Sequence, residues 1–385
     1  MHIYYKRKCI YSIFSACFVL LLLLTVPIFG LFREARNTTL IAEMENRRIS
    51  PAPTAMVGSK NFFQQVEAWY DDRVLGRKEL IQTWSKLNGK LFHVLISKDV
   101  LQGKGEYLFF ASYLSEEMRD REQILDHLSR VNGYCQAHGT HFVVFPVPPA
   151  EWMLAEQLPD DRQPVDVGKV ESELKADLSA RGIDYAMFAT EMRALPQVQR
   201  ENMYKPGDYH WCGEGALYGT KALLQHLKLD QKIDTQNIAF HSEQITGGVY
   251  GRQIGWDPIV STAQVPWSDE FTQDFDLHYH SGDVTVEGDG AAGAGEVIIY
   301  NPQAAHQITV LVLGDSFFFA MKPYLLQDVG TVIYTHNMDT HSPRTSIDLP
   351  WLMETYHPDI VIYEKLTSIL FANGYNDNFG RWSEW

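Results

Sequence analysis

A chain of 385 residues, 45% of them hydrophobic and 12% aromatic, can bury a substantial core, which excludes disorder over most of its length and fits one large domain with additions. Its formal net charge of −15, with no stretch rich in Lys and Arg, excludes nucleic acid as a partner, because neutralising phosphates needs a concentrated basic surface.

In chain order, the first feature is a run without charge from Ile10 to Phe32, which includes Phe18-Val19-Leu20-Leu21-Leu22-Leu23-Leu24. As a helix it would extend about 34 Å, enough for a bilayer core, so residues 10–32 are expected to form a transmembrane anchor. Lys6-Arg7-Lys8 precedes it, and the positive-inside rule leaves residues 1–9 in the cytoplasm and everything after residue 33 outside. A cleaved signal peptide is the alternative, but the run is long for one and no small-x-small site precedes Arg33. Residues 33–60, polar and carrying Pro51 and Pro53, read as a linker or an arm laid on the domain surface.

Two helices follow, from Phe62, Phe63, Val66, Trp69 and Tyr70 and then from Leu80, Ile81, Trp84, Leu87 and Leu91, all at helical spacing. A helix between Leu114 and His138 leads into the buried strand His141 to Val147. Val170 to Ala180 predicts another helix, Ile183 to Phe188 a short extended piece, and Gly213 to Leu227 a further helix. Two strand-like pieces around Gly288–Gly293 suggest a hairpin insertion at about 277–300. Ile308 to Leu313 is the clearest central strand, with Val332–Tyr334 and Ile360–Tyr363 as two more. This alternation predicts a three-layer α/β/α architecture over residues 61–385, with a mostly parallel sheet and ligands bound beyond the carboxyl ends of its strands.

Ser316, in Gly314-Asp315-Ser316, follows the central strand directly. A serine hydroxyl is a weak nucleophile and needs an imidazole within hydrogen-bond reach, itself oriented by a carboxylate. Asp208-Tyr209-His210-Trp211 offers both, provided the backbone bends, and Gly207 and Gly213 permit bending. The amide of Phe317 is a candidate for holding a developing oxyanion. The alternatives are a serine that caps the next helix and an Asp and His with capping or core roles. Arg344 and Asn337 are weaker candidates for contact with substrate or oxyanion. No Cys-x-x-Cys pattern exists, the alternation in His278-Tyr279-His280 lacks a third ligand, and neither metal nor cofactor is called for. Cys135 and Cys212 could pair or stay separate buried thiols, since the spacing forces neither. Trp256 and Trp267 read as packing or loop anchors before sugar platforms, and Glu151 and Trp152 stand where they could line a cleft.

Asp208-x-His210-Trp211 with Gly215-Ala216, followed far downstream by Gly314-Asp315-Ser316-Phe317, resembles the alginate O-acetyltransferase family of AlgJ and AlgX type, whose catalytic domain is SGNH-hydrolase-like. Glu45-Asn46-Arg47-Arg48, Asp72-Arg73 to Arg77, Lys104 to Phe109, Phe145 to Pro149 and Pro358-Asp359-Ile360-Val361 look like further signatures of that family. The resemblance implies an extracytoplasmic enzyme that places acetyl groups on a polysaccharide, with Ser316 as nucleophile, His210 as base and Asp208 as orienting carboxylate. It also implies a membrane-bound O-acyltransferase as acetyl supplier. Asp and His precede the serine here, which matches this family and differs from familiar SGNH esterases.

The expectation is an anchored O-acetyltransferase, at the periplasm or cell surface, that modifies an exopolysaccharide or cell-wall glycan. A carbohydrate acetyl esterase would share the same acyl-enzyme, and a non-catalytic glycan-binding or assembly subunit would carry the same residues with their hydrogen bonds merely satisfied.

Overall fold

The computed structural model describes residue 41, residues 49–54, 60–74, 76–92, 99–105, 107–233, 240–246, 260–266, 285–287, 296–336 and 347–379, and residue 382. The anchor predicted at 10–32 lies outside these, as do most of the arm, Trp256, Trp267, His278, His280, Asn337 and Arg344. Among the described residues no helix is long and apolar enough to cross a membrane. The chain divides into two compact units, residues 1–98 with 249–258, and residues 99–248 with 259–385.

In the first unit the two predicted helices form as α1 (Lys60–Asp71) and α2 (Arg77–Phe92). The end of α1 is tied to Ser50. The Asp72 carboxylate accepts the Ser50 N–H at 2.7 Å, and the Arg73 guanidinium donates to the Ser50 carbonyl at 3.1 Å while lying 4.8 Å from the centre of the Trp69 ring. A charge-assisted hydrogen bond and a cation–π contact together account for the burial of both side chains.

The second unit begins with a small antiparallel pair, β1 (Val100–Gln102) and β2 (Leu108–Phe110). Then come α3 (Arg121–Ala137), β3 (His141–Val147), α4 (Ala150–Met153), α5 (Val167–Ala180), β4 (Asp184–Tyr185), α6 (Ala189–Arg193), α7 (Gln197–Met203) and α8 (Gly213–Leu227). A separate antiparallel ribbon, β5 (Phe240–Thr246) with β6 (Val260–Pro266), is followed by β7 (Thr285–Glu287), β8 (Glu296–Tyr300) and β9 (His306–Gly314). The chain continues through α9 (Phe318–Asp328), β10 (Val329–His336), α10 (Leu349–Tyr356), β11 (Ile360–Leu366), α11 (Thr367–Ala372) and α12 (Gly374–Phe379).

Seven of these strands form one mixed sheet in the order β4-β3-β11-β9-β10-β8-β7. The first five are mutually parallel, and β8 and β7 add on antiparallel. The two pieces expected to form a hairpin insertion do pair, Thr285 opposite Tyr300. They are not a separate excursion, however, because β8 also pairs with β10 and so extends the main sheet at its edge. Ladder hydrogen bonds left open on β10 explain why a second partner docks there.

Every residue of β11 is buried, as are the last five of β9 and all but the first of β3, so these strands need cover on both faces. Connections run in opposite directions across the sheet, β3 to β4 one way and β9 to β10 the other. Right-handed crossovers then put α5 and α9 on opposite faces, giving three layers. The crevice opens at the carboxyl ends of β3, β11 and β9, where the winding direction changes.

Candidate active site

Ser316 stands two residues beyond β9, and α9 starts at Phe318 with Phe317 as its N-cap and no side-chain cap. The serine therefore does not cap the helix. Its hydroxyl lies 2.5 Å from His210 Nε2, and His210 Nδ1 lies 2.7 Å from Asp208 Oδ1. Because the carboxylate holds the proton on Nδ1, Nε2 is left to accept from the serine. The structure thus joins Asp208, His210 and Ser316 across 106 residues of chain in one hydrogen-bonded line.

The bend that brings Asp208 onto His210 has a local cause. Gly207 adopts φ +76°, in the left-handed region that side chains avoid, and Asp208 N donates to the Lys205 carbonyl at 3.1 Å. The Asp208 Oδ1 atom then accepts the His210 backbone N–H at 3.1 Å as well as the ring N–H. Burial pushes the Asp208 carboxyl up, but the bonds and charge of His210 outweigh this and hold it below its ordinary range. Bonded twice by its neighbour, the carboxylate remains ionised while nearly enclosed.

Trp211, the next residue, is fully buried and anchors the segment. Its indole N–H donates to the Phe317 carbonyl at 3.2 Å, and it bridges back to Tyr204 as an isolated antiparallel pair. The ring lies so close to α8 that a Cβ at Gly219 would come within 2.6 Å of it, and one at Gly215 within 2.5 Å of the Met203 carbonyl. Small residues four apart on α8 thus make room for the segment that carries the histidine.

On the serine side, Gly314 is not in the left-handed region, so its lack of a side chain serves space and not a special turn. A Cβ there would sit 2.7 Å from Glu364 Oε2 and 3.0 Å from the Tyr334 ring. The amide of Phe317, a candidate oxyanion donor, is already engaged with Asp315 Oδ1 at 2.9 Å. Phe317 contributes its ring instead, centred 5.0 Å from that of His210. The Tyr209 ring packs on His210 as well, 6.0 Å from the Phe317 ring, and rests against Phe110 and Tyr113.

Glu151 and Trp152 are buried behind the crevice and do not line it. Glu151 Oε1 accepts the Phe110 N–H at 2.7 Å, and the Trp152 indole donates to the Tyr113 carbonyl at 2.8 Å. An open groove of about 660 Å³ runs beside that segment, walled by Ser112, Ser115, Arg119, Arg162 and Phe371. Cys135 and Cys212 are both buried, and no disulfide joins them. Among the described residues no group of three His, Cys, Asp or Glu is arranged to hold a metal ion.

Sequence reasoning missed Glu364 and Tyr334, both in contact with the Gly314–Asp315 turn, because each lies in an apolar strand pattern with no motif around it. It also missed Arg200, whose guanidinium is buried on Glu156 through two bonds of 2.9 Å. The one available signal was a charged residue inside an otherwise apolar strand, as at Glu364 and Lys365.

A serine at the end of a parallel strand, hydrogen-bonded to a His–Asp pair on a three-layer α/β scaffold, brings together the groups that nucleophilic acyl transfer through a serine requires. Residues 100–273 match the family described as "SGNH hydrolase-like domain, acetyltransferase AlgX", so the resemblance carried by the motifs is borne out, over a stretch that includes Asp208 and His210 and ends before Ser316. Among solved structures, PatB1 of Bacillus cereus superposes with a TM-score of 0.53 at 15% identity over 71% of this chain and 97% of that one, in the form with a sulfonyl adduct as well. At such identity the likeness is one of fold. The O-acetyltransferase domain of Pseudomonas putida AlgJ gives a TM-score of 0.45 at 16% identity, over 73% of this chain and 95% of that one. No curated protein matches the chain in sequence.

Proposed function

We propose that this protein is an extracytoplasmic O-acetyltransferase that places acetyl groups on an exopolysaccharide or cell-wall glycan. The observation that carries the reading is the continuous Asp208–His210–Ser316 line at the carboxyl end of β9. His210 Nε2 takes the Ser316 proton as Oγ attacks the acetyl carbonyl; the carbonyl–donor bond breaks, and the leaving group receives the proton from His210. A sugar hydroxyl then gives its proton to Nε2, attacks the acetyl-serine, and expels Ser316 Oγ, which is reprotonated by the same imidazole. Asp208 balances the positive charge on the ring in both halves.

The charge-free run at 10–32 supports an anchor that leaves the acyl-transfer domain outside the cytoplasm, where a membrane-bound O-acyltransferase would supply the acetyl group. The match to an acetyltransferase domain family favours transfer. A specific observation favours esterase action as the second reading: the His210 side chain keeps 20% of its exposure, so water can reach the ring.

The test is turnover of 4-nitrophenyl acetate by the chain from about residue 34 onward, just past the predicted span, with an oligosaccharide acceptor present, for wild type and Ser316→Ala. Serine-dependent release with acetylated sugar supports transfer. Release without sugar product supports the esterase, and no serine-dependent release refutes both and leaves a binding or assembly subunit.

A further inference from the structure

Glu364 sits on β11 beside the end of β9 and is fully buried. Its Oε2 accepts the Asp315 N–H at 2.8 Å, while Asp315 Oδ2 accepts the Leu366 N–H at 2.8 Å. The turn and the strand thus exchange one bond in each direction. Asp315 Oδ1 takes the Phe317 N–H at 2.9 Å, and the Tyr334 hydroxyl donates to the Asp315 carbonyl at 2.8 Å. All four bonds converge on the residue that directly precedes Ser316. Gly314 completes the fit, since any side chain there would strike Glu364.

We propose that Glu364 is a positioning residue for Ser316, a buried side chain that clamps the nucleophile turn onto β11 through the Asp315 amide. This rests on Ser316 being the nucleophile. Two carboxyls this close disfavour joint ionisation. Asp315 accepts two backbone N–H groups, whereas Glu364 accepts one and its Oε1 has no hydrogen-bond partner. Burial, and then the charge of Asp315, raise the Glu364 carboxyl well above its ordinary range. Lys365, also buried on β11, is lowered to about 8 by burial. A neutral group under the turn holds the amide without placing its own negative charge behind an oxyanion that forms at Ser316.

The experiment measures the rate at which an aryl sulfonyl fluoride labels Ser316, located by mass spectrometry, in wild type, Glu364→Gln, Glu364→Asp and Glu364→Ala, with thermal unfolding of each. Glutamine keeps a neutral acceptor of the same reach and is expected to label within about threefold of wild type. Alanine, and aspartate with its shorter reach, are expected to label at least about tenfold more slowly while folded, since a hydrogen bond of about 1.5 kcal/mol corresponds to roughly that factor. Where alanine does not fold, the contrast between glutamine and aspartate decides. Wild-type rates in the folded alanine or aspartate variants, or a glutamine variant as slow as these two, would overturn the proposal. Wild type left unlabelled at Ser316 would instead sink the nucleophile assignment beneath it.

Discussion

The two halves of the site are held by different means. His210 is carried by an irregular segment whose shape depends on Gly207, on the Asp208 side chain bonding its own backbone two residues on, and on one buried tryptophan. Ser316 is carried by a turn between the central strand and a helix, bolted to a second strand by buried carboxyls. The histidine half therefore depends on anchors within its own irregular segment, whereas the serine half is held against the sheet by side chains exchanged with a neighbouring strand. Functional groups on a sheet scaffold keep their geometry more reliably than groups on an irregular segment, which needs local anchors.

Breaking either half chemically should give the largest effects. Ser316→Ala is expected to lower acetyl transfer from 4-nitrophenyl acetate by about 10³-fold or more with no change in unfolding temperature. Asp208→Asn should lower turnover by about 10²–10⁴-fold, because the amide no longer holds the proton on Nδ1. A steady-state assay with the unfolding midpoint measured alongside separates these from loss of fold.

Breaking the anchor of the histidine half should cost stability as well. Trp211→Ala removes a fully buried ring and is expected to destabilise the chain by about 3–5 kcal/mol, read from denaturant unfolding. Trp211→Phe keeps much of the packing but loses the bond to the Phe317 carbonyl, so it should cost less in stability while still lowering turnover. Equal losses in the two variants would show that volume alone matters there.

The smallest effects are in pH, and two carboxyls, Glu156 and Glu364, should respond with opposite sign. The bonds from Arg200, followed by those from Arg193, hold the Glu156 carboxyl down at about 2. A lowered carboxyl contributes stability that is present above its unfolded pKa and is lost as the pH falls through that value toward about 2. Glu364 is raised, so its contribution is complete below the unfolded carboxylate range and diminishes as the pH rises above it. Glu156→Gln should flatten the acid side of a plot of unfolding temperature against pH, and Glu364→Gln the alkaline side. If both flatten the same side, the opposite electrostatics of these two carboxyls are wrong.

Much of the scaffold is legible residue by residue. Gly213–Leu227 and His141–Val147 follow their periodicity to the residue, because each is long enough for a buried face to repeat and is bounded by turn residues. The strand ends move outward, β9 to 306–314 and β11 to 360–366, because polar residues such as His306 and Glu364 pair in the ladder despite breaking the apolar pattern. The edge pair β7 and β8 shows the same limit on a larger scale. Its hairpin is visible in composition, but its docking on β10 depends on which strand edge is left open.

The chemistry divides in the same way. Residue types and short spacing suffice to nominate Asp208, His210 and Ser316, since a weak nucleophile implies a base and a base implies a carboxylate. The amide of Phe317 is nominated by position as well, yet it is consumed by Asp315, a local bond that sequence spacing does not reveal. Glu364 beneath the serine, Gly314 as the space for it, and Gly219 as the space for Trp211 become visible only when strands and helices distant in the chain are packed together. Local periodicity and residue chemistry act over a few positions, and so they can be read from the chain. Which carboxyl meets which amide, and where a side chain has no room, follow from the order of strands in the sheet, which no short stretch of sequence contains.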